Sequence, residues 1–188
     1  KNGIVKKTLV SEFENIRTSG KIAISMKDND ELLSVKPTHG NDMILLASKA
    51  GRMVKFNEDN IRSMGRTASG VRGINLADSE CISLEIAKDD DTIFIVTENG
   101  YGKKSRVNDY RETNRGSKGV KAINLTEKNG YIIAVKLVKG DEDAILMTNS
   151  GMTMRMSLDQ VSTLGRATQG VRLINLKDNQ KVATVSLR

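Results

Sequence analysis

Short apolar runs alternate with glycine turns and polar segments along the whole chain of 188 residues. Three of these runs begin at an aspartate and end shortly before a glycine, and they read DMILLAS, DTIFIVT and DAILMTN. A second short run that carries a basic residue follows each glycine. An apolar run, a glycine turn and a second run are typical of a β-hairpin, so the pattern predicts antiparallel hairpins. No long segment has the 3.6-residue period of an amphipathic helix.

The hairpins recur at a nearly constant interval, which is the signature of a repeat architecture. Four anchor glycines, Gly3, Gly51, Gly100 and Gly151, are separated by 48, 49 and 51 residues. A third strand is predicted at KIAISM, VRGINL, VKAINL and VRLINL, and a fourth at LLSVK, CISLE, YIIAVKL and KVATVSL. The polar segment between the second and third strands, such as NEDNIRSMG, has room for a helical turn and is predicted to be a loop.

Four short strands in each unit predict an all-β, propeller-like fold of about four four-stranded blades. The repeat units are approximately residues 1–48, 49–97, 98–148 and 149–188 of one domain. Because a blade cannot bury both faces alone, the blades must stack around a common axis. We expect further blades before Lys1. The last unit lacks a run that begins at aspartate, so we expect a strand from elsewhere to complete it.

The charge balance indicates a polyanionic partner. Thirty Lys and Arg residues oppose 23 Asp and Glu residues, which gives a net charge of +7. Nucleic acid and an anionic membrane surface both fit this balance, but no basic amphipathic helix favours the membrane. The single cysteine excludes an internal disulfide and suits the cytoplasm.

Basic residues occupy equivalent positions in successive units, and equivalent positions of stacked blades project from equivalent places. The register therefore predicts a basic band that contacts the phosphates of duplex DNA. The alternatives are that the bases only solvate the surface, or that they bind an acidic protein. The residues four after the anchors are Lys7, Lys55, Lys104 and Arg155; those eleven after are Arg62 and Arg111; those fifteen after are Arg66, Arg115 and Arg166; those twenty-one after are Arg72, Lys121 and Arg172.

Glycines surround several of these bases. Gly65, Gly70 and Gly73 lie near Arg66, and Gly116 and Gly119 flank a lysine. Small residues allow the backbone to approach a phosphodiester, but the same glycines could serve only to form the turn into the next strand. Three Phe, three Tyr and no Trp provide little material for stacking single-stranded bases, so duplex DNA is the better match.

Catalytic signals are weak in this sequence. Nothing marks Tyr101, Tyr110 or Tyr131 as an activated nucleophile. The run Asp89–Asp91 aligns with polar segments of the other units, so a hairpin turn is a better interpretation than a metal site. Any chemistry is therefore expected outside this chain.

The segments GRTASGVRGINL, GRATQGVRLINL and TENGYGKKSRVNDYRETNRGSKGVKAINLTEKNG resemble the C-terminal domain of the bacterial DNA gyrase A protein. The resemblance covers essentially the whole chain. It implies a β-pinwheel, in which neighbouring blades exchange strands, and a basic rim that wraps duplex DNA to support ATP-dependent negative supercoiling. It also implies a gyrase B subunit and a second gyrase A protein as partners, with Mg²⁺ and ATP used by the holoenzyme and no cofactor in this fragment.

The family's signature box reads approximately Q-R-R-G-G-K-G. Its nearest match here is TNRGSKG, which loses the Gln, one Arg and one Gly and is identified as a degenerate copy of the box. The corresponding domain of topoisomerase IV, whose boxes are degraded, remains an alternative, although the regular repeats favour gyrase. The box residues are Thr113, Asn114, Arg115, Gly116, Ser117, Lys118 and Gly119.

Overall fold

The computed structural model describes residues 1–188. The chain is all-β, as predicted, and its only helices are 3-10 turns of three or four residues. None of them has the length and apolar character needed to cross a membrane. The strands are β1 (Ile4–Val5), β2 (Met43–Ser48), β3 (Arg52–Asn57), β4 (Val71–Arg72), β5 (Cys81–Ala87), β6 (Thr92–Thr97), β7 (Tyr101–Arg106), β8 (Val120–Lys121), β9 (Ile132–Val138), β10 (Asp143–Thr148), β11 (Thr153–Ser157), β12 (Val171–Arg172) and β13 (Val182–Leu187).

The predicted hairpins are β2–β3, β6–β7 and β10–β11, and each one turns at an anchor glycine. Gly51, Gly100 and Gly151 have φ values of +81°, +80° and +83°. Each donates its N–H to the carbonyl three residues earlier, as Gly51 does to Ser48 at 3.1 Å. Side chains disfavour this left-handed conformation, which explains why glycine recurs at the interval that defines the repeat.

Neighbouring blades exchange strands, which confirms the pinwheel architecture. The second blade has the strand order β5-β2-β3-β8, and β8 comes from the following repeat. In the same way β12 pairs with β7, and β4 pairs with β1. The exchanged strands are only two residues long, shorter than the predicted segments, because the chain then leaves the ladder and buries Ile74, Ile123 and Ile174 in the core.

The first and last blades have fewer than the predicted four strands. The segments KIAISM and LLSVK of the first unit form no strand, since the preceding repeat supplies the partner strands in the other units. Apolar side chains such as Ile22 (65% exposed) and Val35 (77%) therefore lie at the surface. The last blade contains β11, β10 and β13. Its run from aspartate is β10, which precedes the fourth unit as bounded from the sequence, so a strand from outside that unit does enter this blade. No exchanged strand pairs with β11 on its other side.

The core lies between the blades in three clusters. Alternate residues of β2 enter different clusters: Ile44 and Leu46 face the first blade, whereas Leu45 and Ala47 pack with β6 and β9 of the third. Because both faces of the inner blades are covered, the first strands of their hairpins, β2 and β6, are apolar over most of their length.

The polar segment after each second strand begins with a 3-10 turn instead of the predicted loop. These turns are Glu58–Asn60, Val107–Asp109 and Leu158–Gln160. The side chains of Asn57 and Ser157 accept hydrogen bonds from the backbone N–H groups of Asp59 (2.9 Å) and Asp159 (3.3 Å). Such caps satisfy donors that a helical turn leaves open.

Tyr110 predicts how the fold responds to alkaline pH. Its side chain is fully buried, its hydroxyl donates to the carbonyl of Ala122 at 3.2 Å, and burial raises its pKa to about 12. An unfolded tyrosine ionises near pH 10, so the stabilisation is complete below pH 10 and is lost as the pH rises towards 12. We expect this group to cost about 1.4 kcal/mol of the free energy of unfolding by pH 11.

Urea unfolding of Tyr110→Phe between about pH 8 and 11 tests this loss. The variant should lose about 1 kcal/mol at pH 8 with the hydroxyl's hydrogen bond. Its deficit relative to the unchanged chain should then shrink as the pH rises. Tyr131→Phe, at a position that is 53% exposed, is the matched control and should keep the pH profile of the unchanged chain. A constant deficit for Tyr110→Phe would contradict the assignment.

Candidate nucleic-acid interface

Four of the thirteen predicted DNA-binding residues lie in three loops, and five more lie within two residues of a loop end. We define residues 63–70, 112–119 and 163–170 as the exchange loops, because each leads into an exchanged strand. Each loop docks on the preceding blade through the same backbone hydrogen bond. The donors and acceptors are Met64 N–H to Lys7 O (2.8 Å), Thr113 N–H to Lys55 O (2.7 Å) and Leu164 N–H to Lys104 O (2.8 Å).

The arginine fifteen residues after each of the last three anchors crosses to the preceding repeat. Its guanidinium donates to the backbone carbonyl of the residue at the start of that repeat's third segment. In two of the three cases that residue is itself a predicted DNA-binding base. The contacts are Arg66 Nη1 to Ile22 O (2.8 Å), Arg115 Nη1 to Arg72 O (2.5 Å) and Arg166 Nη1 to Lys121 O (3.1 Å).

These contacts bring basic residues from successive repeats side by side. Arg115 of the third unit lies against Arg72 of the second, and Arg166 of the fourth lies against Lys121 of the third. None of the basic residues in the exchange loops and the exchanged strands forms an ion pair with a carboxylate within 4.0 Å. A guanidinium has five N–H donors, and Arg66 and Arg166 each use one of them within the chain, so the others remain available for phosphate oxygens. We call the group the basic track: Arg66, Arg72, Arg115, Lys118, Lys121, Arg166 and Arg172.

The bases four residues after the anchors behave differently. Lys55 is only 5% exposed and pairs with Asp89 at 2.5 Å. Contrary to the prediction from the repeat register, it therefore does not lie on an exposed basic band. It shares with Met53 the strand face that packs against the next blade. Lys7 pairs with Glu58 (3.4 Å) and Arg155 pairs with Asp143, so neighbouring carboxylates compensate both charges.

Lys104, Arg62 and Arg111 remain predicted contacts of the DNA. Lys104 is half-buried, whereas the two arginines are exposed just beyond their 3-10 turns. None of the three forms an ion pair within 4.0 Å.

The structure places Tyr101, Lys128 and Arg52 beside predicted DNA-binding residues, which the repeat register could not reveal. Arg172 donates to the hydroxyl of Tyr101 from Nε (3.2 Å) and Nη2 (2.9 Å), and this hydrogen bond lowers the pKa of Tyr101. Lys128 lies 5.6 Å from the centre of the same ring. Arg52 pairs across strands with Lys121. The other units have no base one residue after the anchor, so the repeat contains no signal for Arg52.

Glycines at the ends of the exchange loops serve the strand exchange. Gly70, Gly119 and Gly170 have positive φ, and a Cβ there would lie 2.5 Å from Val5 O, 2.1 Å from Met53 O and 2.7 Å from Gly102 O, respectively. This contact with the receiving strand favours the turn interpretation of Gly70 and Gly119. A Cβ on Gly73 would meet the side chains of Leu46 and Val5, so this glycine is needed for packing.

The acidic run Asp89–Asp91 lies in a polar turn. Asp89 pairs with Lys55, and Asp91 accepts the backbone N–H of Lys88 at 2.7 Å, which is the arrangement of a polar turn. Nowhere do three His, Cys, Asp or Glu side chains gather into a group that could hold a metal ion.

The chain matches a family model described as DNA gyrase C-terminal domain, beta-propeller, over residues 1–39, 42–88, 91–139 and 142–187. It is 40% identical over 186 residues to the DNA gyrase A protein of Ureaplasma parvum, and 44% identical over 189 residues to that of Staphylococcus epidermidis. These alignments cover 98% and 99% of the chain, but only 22% and 21% of the relatives, so the chain spans about a fifth of their length.

Solved structures share the fold. The C-terminal domain of a DNA topoisomerase IV aligns with a TM-score of 0.92 at 23% identity, over 100% of this chain and 59% of that one. A DNA gyrase A C-terminal domain aligns with a TM-score of 0.84 at 24% identity, over 99% of this chain and 62% of that one. At such identities the likeness concerns the architecture alone.

Proposed function

Because the chain belongs to the family of the DNA gyrase C-terminal domain, a beta-propeller, we propose that it binds and wraps duplex DNA over the basic track. The observation that carries the proposal is a repeated contact. In it, the guanidinium of an exchange-loop arginine donates to the backbone carbonyl of a basic residue in the preceding repeat. This contact joins cations of three repeats into one continuous series. A duplex that follows the series must bend with the blades.

The chemistry of the track is suited to a DNA backbone. Phosphate contacts position DNA without reading its sequence, so affinity depends on salt and on how easily the duplex bends. The exposed side chains of Arg72, Lys118 and Lys121 are free to reach phosphates. The half-buried guanidinium of Arg115 is held by two backbone carbonyls, those of Asn60 and Arg72, which fixes its direction before DNA binds.

The whole protein would be the gyrase A component of DNA gyrase, a cytoplasmic type IIA topoisomerase. In this proposal the chain supplies the wrapped segment for ATP-dependent negative supercoiling. A gyrase B subunit and a second gyrase A protein complete the enzyme. Strand cleavage, ATP hydrolysis and the binding of Mg²⁺ belong to those other parts.

Gyrase is favoured over the two alternatives. The relatives that are 40–44% identical to this chain are DNA gyrase A proteins, whereas the topoisomerase IV structure is 23% identical. A scaffold for an acidic protein would not require arginines aligned from repeat to repeat at the spacing of the blades.

Salt dependence tests the proposal. If the seven basic side chains of the basic track neutralise seven phosphates, the logarithm of the binding constant should fall with the logarithm of the salt concentration at a slope of about −6. Fluorescence anisotropy with a labelled duplex of about 40 base pairs should show an affinity loss of three to four orders of magnitude between about 50 and 200 mM salt. Unrelated sequences of equal length should bind with similar affinity. Equal binding at low and high salt would reject the wrapping function.

A further inference from the structure

A lysine lies beneath two of the three exchange loops, and one of the two is fully buried. Lys103 is 0% exposed, and its ammonium donates to Gly165 O (2.7 Å), Arg166 O (2.7 Å) and Thr168 Oγ1 (3.3 Å). Lys6 is its equivalent at the first interface, and it donates to Gly65 O (3.1 Å) and to Arg66 O. Both lysines lie three residues after an anchor glycine, and neither forms a carboxylate ion pair within 4.0 Å.

The direction of these carbonyls determines where the backbone N–H groups point. All peptide bonds are trans, and in a trans peptide the C=O and N–H point in opposite directions. The carbonyls of Gly165 and Arg166 face Lys103, so the N–H groups of Arg166 and Ala167 face away from it. Neither N–H has an acceptor within the chain. Two consecutive N–H groups of a turn form a concave site for an anionic oxygen, and the first of these belongs to the loop arginine.

The middle loop lacks the lysine and has the opposite peptide orientation. Val54 occupies the equivalent position, and Gly116 donates its N–H inward to Gly73 O at 2.7 Å. Gly116 has φ +78°, whereas Thr67 and Ala167 at the same loop position have no positive φ. Type I and type II turns differ by such a flip of the central peptide, and type II needs glycine at its third position. A lysine is therefore present at the two interfaces where the N–H of the third turn residue, Thr67 or Ala167, faces outward. It is absent at the interface where the N–H of Gly116 faces inward.

An anionic oxygen already contacts one of these N–H groups. The carboxylate of Glu12 accepts the N–H of Arg66 at 3.4 Å. Arg66 N–H is the equivalent of Arg166 N–H, so the carboxylate stands in for a phosphate oxygen. At the last interface the equivalent group has no such partner.

We propose that Lys103, and Lys6 at the first interface, are positioning residues of the DNA-binding surface. Each ammonium holds the loop carbonyls inward, so that two backbone N–H groups and the loop arginine together bind one DNA phosphate. This inference rests on the proposed function. Burial lowers the pKa of Lys103 to about 8, so the side chain still carries its charge at neutral pH.

A double-mutant cycle tests the role of Lys103. Lys103→Met keeps the length of the side chain and removes its charge. It should lower the affinity for a 40-base-pair duplex about tenfold, the loss expected when charge-assisted hydrogen bonds to one phosphate are removed. In an Arg166→Gln background the same change should cost only about twofold, because both residues act on one phosphate. The salt slope should become shallower by about 0.9 in each single variant and no further in the double variant.

Hydrogen exchange gives a readout that does not depend on DNA. Thr168 donates its N–H to Gly165 O at 3.2 Å, and Lys103→Met should accelerate the exchange of this amide while the amides of β6 and β9 stay protected. Lys6→Met, at a half-exposed position that is easier to change, should do the same to Ala68, which donates to Gly65 O at 3.1 Å. This second variant keeps the test decisive if Lys103→Met does not fold.

The outcomes separate this inference from the proposed function. If the unchanged chain does not bind duplex DNA, both fail. If it binds DNA and Lys103→Met only lowers the melting temperature, with affinity within twofold, Lys103 is structural and the inference is overturned. Equal losses in the presence and absence of Arg166 would also overturn it, since the two residues would then act independently.

Discussion

Replacing Arg66, Arg115 and Arg166 together by glutamate should lower the affinity for duplex DNA by at least about 1,000-fold. Each reversal removes a charge-assisted contact of about 1.5–3 kcal/mol and places a carboxylate near a phosphate. Three such losses exceed the 4.1 kcal/mol that corresponds to a factor of about 1,000. The loss should be the same for unrelated DNA sequences, because phosphate contacts carry no sequence information.

A matched variant separates position from net charge. Lys88, Lys139 and Lys177 are exposed bases outside the basic track, so their triple replacement by glutamate changes the net charge by the same amount. We expect this control to lose less than about tenfold in affinity at physiological salt, where remote charges are largely screened. Circular dichroism should show that both variants keep their β-structure. Similar losses for the two variants would mean that DNA senses only total charge, and the track would be rejected.

The repeat made much of this architecture predictable from sequence. The anchor glycines indicated the hairpins, and the structure has a hairpin at three of the four. The arginine fifteen residues after the anchor lies at each exchange interface because the same loop docks in the same way each time. Register thus predicts equivalence between repeats.

The repeat register does not predict which face of a strand a side chain occupies or which residues it contacts there. Lys55 and Arg115 are both bases at repeated positions, yet one faces the next blade and the other bridges to the preceding exchanged strand. The difference depends on strand pleat and on an aspartate 34 residues away in sequence. The first unit shows a related limit, since KIAISM and LLSVK have strand-like sequences but no partner strand to pair with.

Gly119→Ala should be the most damaging single substitution for the fold itself. A Cβ at this position would lie 2.1 Å from Met53 O and 2.5 Å from Met53 C, and the residue has φ +67°. The left-handed conformation alone costs a non-glycine residue about 1–2 kcal/mol. Relief of the backbone contact requires β8 to withdraw from β3, which breaks the pairing of Arg52 with Lys121 and of Met53 with Val120. We therefore expect a loss of at least about 3 kcal/mol in the free energy of unfolding.

Urea unfolding with a matched alanine substitution checks this expectation. Gly165→Ala is the control, because a Cβ there meets nothing within 4 Å and the backbone φ is not positive. It should change stability by no more than about 0.5 kcal/mol. If Gly119→Ala does not fold, Gly170→Ala provides the same comparison at the next strand exchange, where the Cβ would lie 2.7 Å from Gly102 O. Should both glycine variants be as stable as the control, the exchanged strands would contribute little, and the blades would be held together by their cores alone.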